Sequence, residues 1–273
     1  MSNALIENDM RVCQRQLHTC GRANRVTFDA GKEETMVVST TEACGGPAKL
    51  LGIEFDCKLV MSIASHKCAT KAAWKTRSLL RVRRFYSTND LVMLYKSHVL
   101  SFIEYRTSGL HFASTSVLNQ IDDVQSRFLR QIGVSDEIAF VHFNLAPLGV
   151  RRDIGILGVI HRAARCAGPP QLWKFFRRDS GTPSRGSRGR QRHSMHLVEW
   201  RSGRNLELMR RSALGMIRVY NLLPAGCVTN CDVSAFQTNL TQLIRDRLVG
   251  GDSRWKFVLS PRHALFQYHP LVS

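Results

Sequence analysis

The sequence predicts a mainly α-helical protein with a small α/β piece at its start. Three observations carry that expectation. Beyond residue 60, apolar residues recur at spacings of three and four along most of the chain. Ser, Asp, Pro and Gly stand where helices must start or stop. Only two short runs, both before residue 56, have strand character.

The opening segment predicts a helix, because Ile6, Met10, Cys13 and Leu17 follow at steps of four, three and four, with Gly21 as its expected stop. Residues 35–39 and 50–55 are the expected strands, separated by the turn-rich Cys44-Gly45-Gly46-Pro47. A helix over 60–83 would put Ala64, Cys68 and Ala72 on one face and Lys67, Lys71, Lys75 and Arg77 around the others. Ser87-Thr88-Asn89-Asp90 supplies a cap and an acidic first turn for a helix burying Leu91, Leu94, Tyr95, Val99 and Phe102. The next, at about 116–132, would bury Leu118, Ile121, Val124 and Phe128. Pro147 and Gly149 precede a helix at about 151–167, which Gly168-Pro169-Pro170 ends. Residues 179–194 lack any apolar period and form an Arg/Gly/Ser-rich linker, the one clear domain boundary. Helices at about 204–223, stopped by Pro224, and 233–249, between Asp232 and Gly250-Gly251, complete the pattern.

Charge narrows the function classes. The 273 residues carry 39 Lys+Arg against 21 Asp+Glu, a net charge of +18 and a pI near 10.2. The excess is uneven: 7 basic and 8 acidic groups over 1–60, 11 against 4 over 61–135, and 11 against 3 over 171–211. Such blocks concentrate positive potential where a polyanion docks. No basic amphipathic helix shows an aromatic apolar face, and no run approaches the roughly 18 to 20 apolar residues that span a bilayer. Nucleic acid, RNA or DNA, is therefore the expected partner, and a membrane is not. Met1 to Met10 contain Glu7 and Asp9 and no apolar core of a signal peptide, so an intracellular location, nucleus or cytoplasm, is expected.

The eight cysteines, Cys13, Cys20, Cys44, Cys57, Cys68, Cys166, Cys227 and Cys231, show no recurring spacing and are expected as reduced thiols. Cys227-x-x-x-Cys231 with His193-x-x-His196 upstream comes nearest to a metal pattern. The pairs run in opposite order to a zinc finger, so free thiols are the favoured reading and no metal site or cofactor is expected in this chain.

Catalytic patterns are missing. There is no phosphate-binding Gly-x-x-x-x-Gly-Lys-Ser/Thr loop, Gly-x-Ser-x-Gly elbow or His-Glu-x-x-His pair, nor a nuclease set of acids and lysine. The only adjacent aspartates, Asp122-Asp123, fall mid-helix, where neighbours point about 100° apart and cannot share a metal ion.

Two stretches bring a family into view. Gly21-Arg22-Ala23-Asn24-Arg25-Val26-Thr27-Phe28-Asp29-Ala30-Gly31-Lys32 resembles the segment after the catalytic hairpin in reverse transcriptases of non-long-terminal-repeat (LINE-type) retrotransposons. Leu51-Gly52-Ile53-Glu54-Phe55-Asp56 looks like that family's primer-grip strand at the palm–thumb junction. Residues 95–105 and 121–130 are similar to its thumb helices. In this chain Ser101 stands where Pro is frequent, Arg106 where Gly is, Cys20 where Trp is common, and Glu33 where Thr or Ser follows the Lys. The resemblance covers roughly residues 5–165. It implies the end of a polymerase palm over 1–60 and a helical thumb over 61–178, whereas the linker over 179–203 and the helical region over 204–273 are read from composition and periodicity alone.

The implied function is the template–primer grip of an RNA-directed DNA polymerase from a mobile element. The catalytic Asp residues of that polymerase, and the two metal ions they clamp, belong to parts preceding this segment. The chain alone is expected to be inactive. Its expected partners are the template–primer duplex and the upstream fingers and palm, and magnesium would be a cofactor of the complete polymerase only. Lys32 would lie near the incoming nucleotide's phosphates, a vestigial role here, with an exposed loop lysine as the alternative; Leu51 and Gly52 would form the primer grip.

The residues themselves point to phosphate contact by Lys67, Lys71, Lys75, Arg77, Arg81, Arg83 and Arg84, seven cations with no acid between 67 and 84. A solvated face with favourable pairing at the helix C-terminus is the competing reading. Phe85 and Tyr86 sit beside them as candidate stacking residues. Trp74 and Tyr105 could also stack, whereas Tyr95 and Phe102 fit core positions. Arg185, Arg188, Arg190 and Arg192 in the linker form a candidate RNA-binding tract or a soluble spacer. Besides a polymerase fragment, a stand-alone basic nucleic-acid-binding protein and a non-functional relic of a retroelement remain open.

Overall fold

Helix α1 (Asn3–Ala23) forms where the spacing predicts it, but Gly21 does not end it. In the computed structural model, which describes residues 3–39, 45–179, 193–200, 206–229, 232–262 and 269–271, Gly21 is a buried helical residue. A Cβ there would come within 2.4 Å of the Phe28 ring, so glycine serves close packing. The stop comes later, at Arg25, whose φ of 57° reverses the chain. Its N–H donates to Arg22 O at 3.2 Å and that of Val26 to Gly21 O at 2.8 Å, the paired bonds of a left-handed helix terminus.

A short 3-10 turn, Ala30–Lys32, leads to strands β1 (Ala48–Leu50) and β2 (Ile53–Phe55), a two-stranded antiparallel sheet. The single strand expected over 50–55 is thus broken in two. Leu51 and Gly52 have φ of 49° and 79°, the left-handed pair that a tight hairpin requires. Residues 35–39 form no extended strand; Ser39 N–H donates to Cys57 O at 3.0 Å.

The chain divides into two compact units: residues 1–52 with 56–58, and residues 53–55 with 59–273. In the first, among the described residues, no hydrophobic side chain is buried. Leu17, on the expected apolar face of α1, is 61% exposed. The second unit contains both the segment 61–178 and the segment 204–273, which sequence texture had set apart.

Within that second unit, α2 (Ser62–Arg81) buries Ala64, Cys68 and Ala72 as its spacing predicts, together with Ser65, Thr76 and Leu79. A 3-10 turn, Arg83–Phe85, follows. Helix α3 (Thr88–Tyr95) opens on a full capping box: Ser87 Oγ accepts from Asp90 N at 3.2 Å, and Asp90 accepts from Ser87 N at 3.3 Å. One π-helical turn, Lys96–Leu100, joins it to α4 (Ser101–Leu110). Helix α5 (Thr115–Gln131), capped by Ser114, buries the predicted Leu118, Ile121, Val124 and Phe128. Tyr95 is fully buried and stacks on Phe128, centroids 4.2 Å apart, so it is core as its spacing suggests. Ser65 Oγ donates to Val117 O at 2.7 Å and fixes α2 against the start of α5.

Helix α6 (Asp136–Phe143), unanticipated, is capped by Ser135 and ends at Asn144 with φ 49°. Helix α7 (Leu148–Ala164) starts three residues before its expected position, directly after Pro147. It joins two hydrophobic cores. Leu148 belongs to the core built from α2 to α5, whereas Val150, Ile154, Leu157 and Ile160 belong to the second. That second core takes Phe176, Met195 and Leu197 and side chains from the elements that follow. The chain runs on through α8 (Pro170–Trp173), α9 (Leu206–Arg211), α10 (Met216–Asn221), α11 (Ala225–Val228) and α12 (Val233–Val249), then a 3-10 turn, Trp255–Phe257; α8, α10, α11, α12 and that turn supply those side chains.

The single helix expected over 204–223 is therefore two short ones. The break lies at Ser212–Gly215, where Ser212 Oγ accepts from Leu214 N at 3.2 Å and a Cβ on Gly215 would stand 2.2 Å from Arg210 O. Helix α12 matches its expected bounds: Asp232 accepts from Ala235 N at 3.0 Å, and Gly251 leaves it at φ 79°. No described helix is long and apolar enough to cross a membrane.

Candidate nucleic-acid interface

The seven cations of 67–84 do not all face the same way. Three and seven residues along a helix return to one face, so Lys67, Lys71, Arg77 and Arg81 cluster around position 74. All four are exposed, and the centre of their arc, position 74, lies opposite the buried Ser65, Ala72 and Thr76 of α2. Lys67 is tied to Glu54 of β2, with contacts of 2.6 and 2.7 Å. Among the described residues, Lys71, Arg77 and Arg81 make no ion pair.

The other three cations are drawn elsewhere. Lys75 is half-buried, its Nζ 5.5 Å from the Phe102 ring centroid. The Arg106 guanidinium covers that ring too, at 4.1 Å, so Phe102 on α4 packs one side against the core, as expected, and turns the other to cations. Arg83 donates to Gln131 Oε1 of α5 at 2.9 Å. Arg84 lies over the Phe85 ring at 4.7 Å. Arg81, Arg83 and Arg84 also occupy the C-terminal end of α2, where exposed carbonyls favour positive charge.

Aromatic rings accompany the outward cations. Phe85 is 70% exposed and Tyr86 47%. Trp74 is 65% exposed at the centre of the outward face, three residues from both Lys71 and Arg77. The other tryptophans are anchored: Trp173 Nε1 donates to Gly168 O at 3.1 Å, Trp200 Nε1 to Phe175 O at 2.9 Å, and Trp255 is buried against Phe140. Periodicity could have placed Trp74 among the cations, because it falls on the opposite side of the helix from Ser65 and Ala72.

Lys32 stands in the exposed 30–32 turn, its ammonium 3.3 Å from Asp29. Leu51 and Gly52 form the hairpin tip, with Leu51 74% exposed. Arg185, Arg188, Arg190 and Arg192 lie outside the described residues.

Asp122 and Asp123 stand in different settings. Asp122 accepts two bonds of 2.5 Å from the buried guanidinium of Arg152, while Asp123 is exposed on the next position of α5. No three His, Cys, Asp or Glu side chains converge among the described residues. His193 is buried, Nε2 3.0 Å from Tyr220 O, and burial lowers its pKa. Cys68 and Cys227 are buried free thiols whose pKa burial raises, Cys68 to about 11; such thiols are inert. Cys231 lies outside the described residues.

The described residues define a mainly helical protein whose most cationic helix also displays an exposed tryptophan. No protein-family model, curated protein or solved structure matches the chain.

Proposed function

We propose that this chain grips nucleic acid by its phosphates along the outward face of α2 and the arginine-rich turn after it, as the palm-end and thumb part of a LINE-type retrotransposon reverse transcriptase. One observation carries the reading: seven cations between Lys67 and Arg84 with no acid among them, of which Lys71, Arg77 and Arg81 stand on one face without a carboxylate partner among the described residues. Cations fixed by a helix present point charges at set intervals, which suits phosphates and needs no base sequence. The exposure of Leu17 and Cys13 on the apolar face of α1 adds support, since a palm helix needs a sheet beneath it.

On this reading the chain contributes template–primer grip and no chemistry. Leu51 and Gly52 are the primer-grip hairpin, and Lys32 keeps the place of a nucleotide-phosphate ligand without the acids that would use it. The upstream fingers and palm would be its partners and magnesium their cofactor.

Binding of a recessed RNA–DNA duplex, followed as salt rises, tests the grip. Six neutralised phosphates predict that log K falls against log[salt] with a slope of about −5. A slope near zero contradicts phosphate contact. Adding separately expressed fingers and palm should then restore template-directed synthesis. Binding without such rescue would favour a stand-alone nucleic-acid-binding protein.

A further inference from the structure

We infer that Trp74, with Phe85 beyond the end of α2, is a stacking platform for unpaired bases, so that the surface takes a single strand in preference to a closed duplex. The inference rests on the phosphate grip proposed above and names the form of nucleic acid that it takes.

The argument starts from cost. A large ring left in water forfeits the stabilisation that burial gives an aromatic side chain. The chain anchors Trp173, Trp200 and Trp255, yet leaves Trp74 65% exposed, its indole making no hydrogen bond or ring contact with any described residue. Position 74 lies in the middle of α2, whose opposite face is packed, so the ring stands outward on the crest of the helix.

Charge says what covers it. The residues one turn away are Lys71 and Arg77, and Lys67 and Arg81 lie two turns away on the same face. A protein partner would need an acidic patch matched to an aromatic socket, whereas a nucleic-acid strand carries both a flat π-face and an adjacent phosphate in every nucleotide. Phe85 repeats the arrangement at the C-terminal turn: it is 70% exposed, and the Arg84 guanidinium lies 4.7 Å from its ring. Alternating cations and exposed rings along one track is how strands are held without sequence choice.

The same geometry selects unpaired bases. In a duplex every internal base already has neighbours on both faces, and phosphates alone are offered to a convex surface. An unpaired base can lay its free face on Trp74 while Lys71 or Arg77 meets its phosphate.

The test compares the full chain with Trp74→Ala, Trp74→Phe and Phe85→Ala, by anisotropy of a labelled oligouridylate and of a fully paired duplex of equal length. Thermal melts verify that each variant is folded, which the exposure of both rings predicts. Trp74→Ala should weaken oligouridylate binding about tenfold. It should leave the duplex affinity unchanged, and Trp74→Phe should retain most of the oligouridylate affinity. Equal losses on both probes, or no loss on either, would overturn the stacking inference while leaving the phosphate grip intact. If the wild-type chain binds neither probe, the grip itself fails and the platform with it.

Discussion

Asp122 and Asp123 are adjacent in sequence and opposite in setting. Asp122 is the bidentate partner of Arg152, whose side chain is only 7% exposed. Removing that carboxylate strands a buried guanidinium, so Asp122→Ala should destabilise the protein by about 3 kcal/mol in urea denaturation. Asp123→Ala, on the exposed face, should stay within about 0.5 kcal/mol of wild type. A comparable loss for both would contradict the assignment. His193 offers a pH counterpart. Burial favours its neutral ring and depresses the folded pKa below the usual histidine value, partly offset by the bond to Tyr220 O. Its contribution is present above the unfolded pKa of about 6.5 and is lost as pH falls through the lower folded value. The denaturation midpoint should therefore drop with acidification in that window, and less so in His193→Gln.

Between α9 and α10 the chain turns where a Cβ would stand 2.2 Å from Arg210 O. Gly215→Ala must move backbone and should cost about 1–3 kcal/mol, read as a lower urea midpoint. An unchanged midpoint would show that the break at 212–215 can relax into a continuous helix.

How far the elements were legible follows from what each signal encodes. Ser87 with Asp90, and Asp232 with Gly250-Gly251, are local signals, and α3 and α12 begin and end there. The hairpin was hidden because its turn uses a leucine at φ 49°, which no turn propensity suggests. Helix α6 was hidden because Ile138-Ala139-Phe140-Val141 has no amphipathic period. In the candidate site the cations were plain in sequence, but their roles were not. Glu54 takes Lys67, Phe102 takes Lys75 and Gln131 takes Arg83 through contacts between separate elements. The outward position of Trp74 was encoded in its spacing from Ser65 and Ala72.

Over the whole molecule, stability is unevenly distributed. Helix α7 lends Leu148 to one core and Leu157 to the other, so the second unit should unfold as one cooperative body. The first unit has no buried hydrophobic side chain among its described residues. Few buried contacts mean low local stability, so amides of α1 should exchange with deuterium far faster than those of α5 and α7. Equal protection would show that α1 is covered in solution.

The account turns on phosphate contact by the outward face of α2. Its most direct test is the salt dependence of nucleic-acid binding by the Lys71→Ala, Arg77→Ala, Arg81→Ala triple variant beside the wild type. Each lost contact should flatten the slope of log K against log[salt] by roughly 0.7 to 0.9, so the triple variant should lose about 2 to 3 of the wild-type slope. A slope identical to that of the wild type would place the phosphates elsewhere on the molecule and contradict the grip.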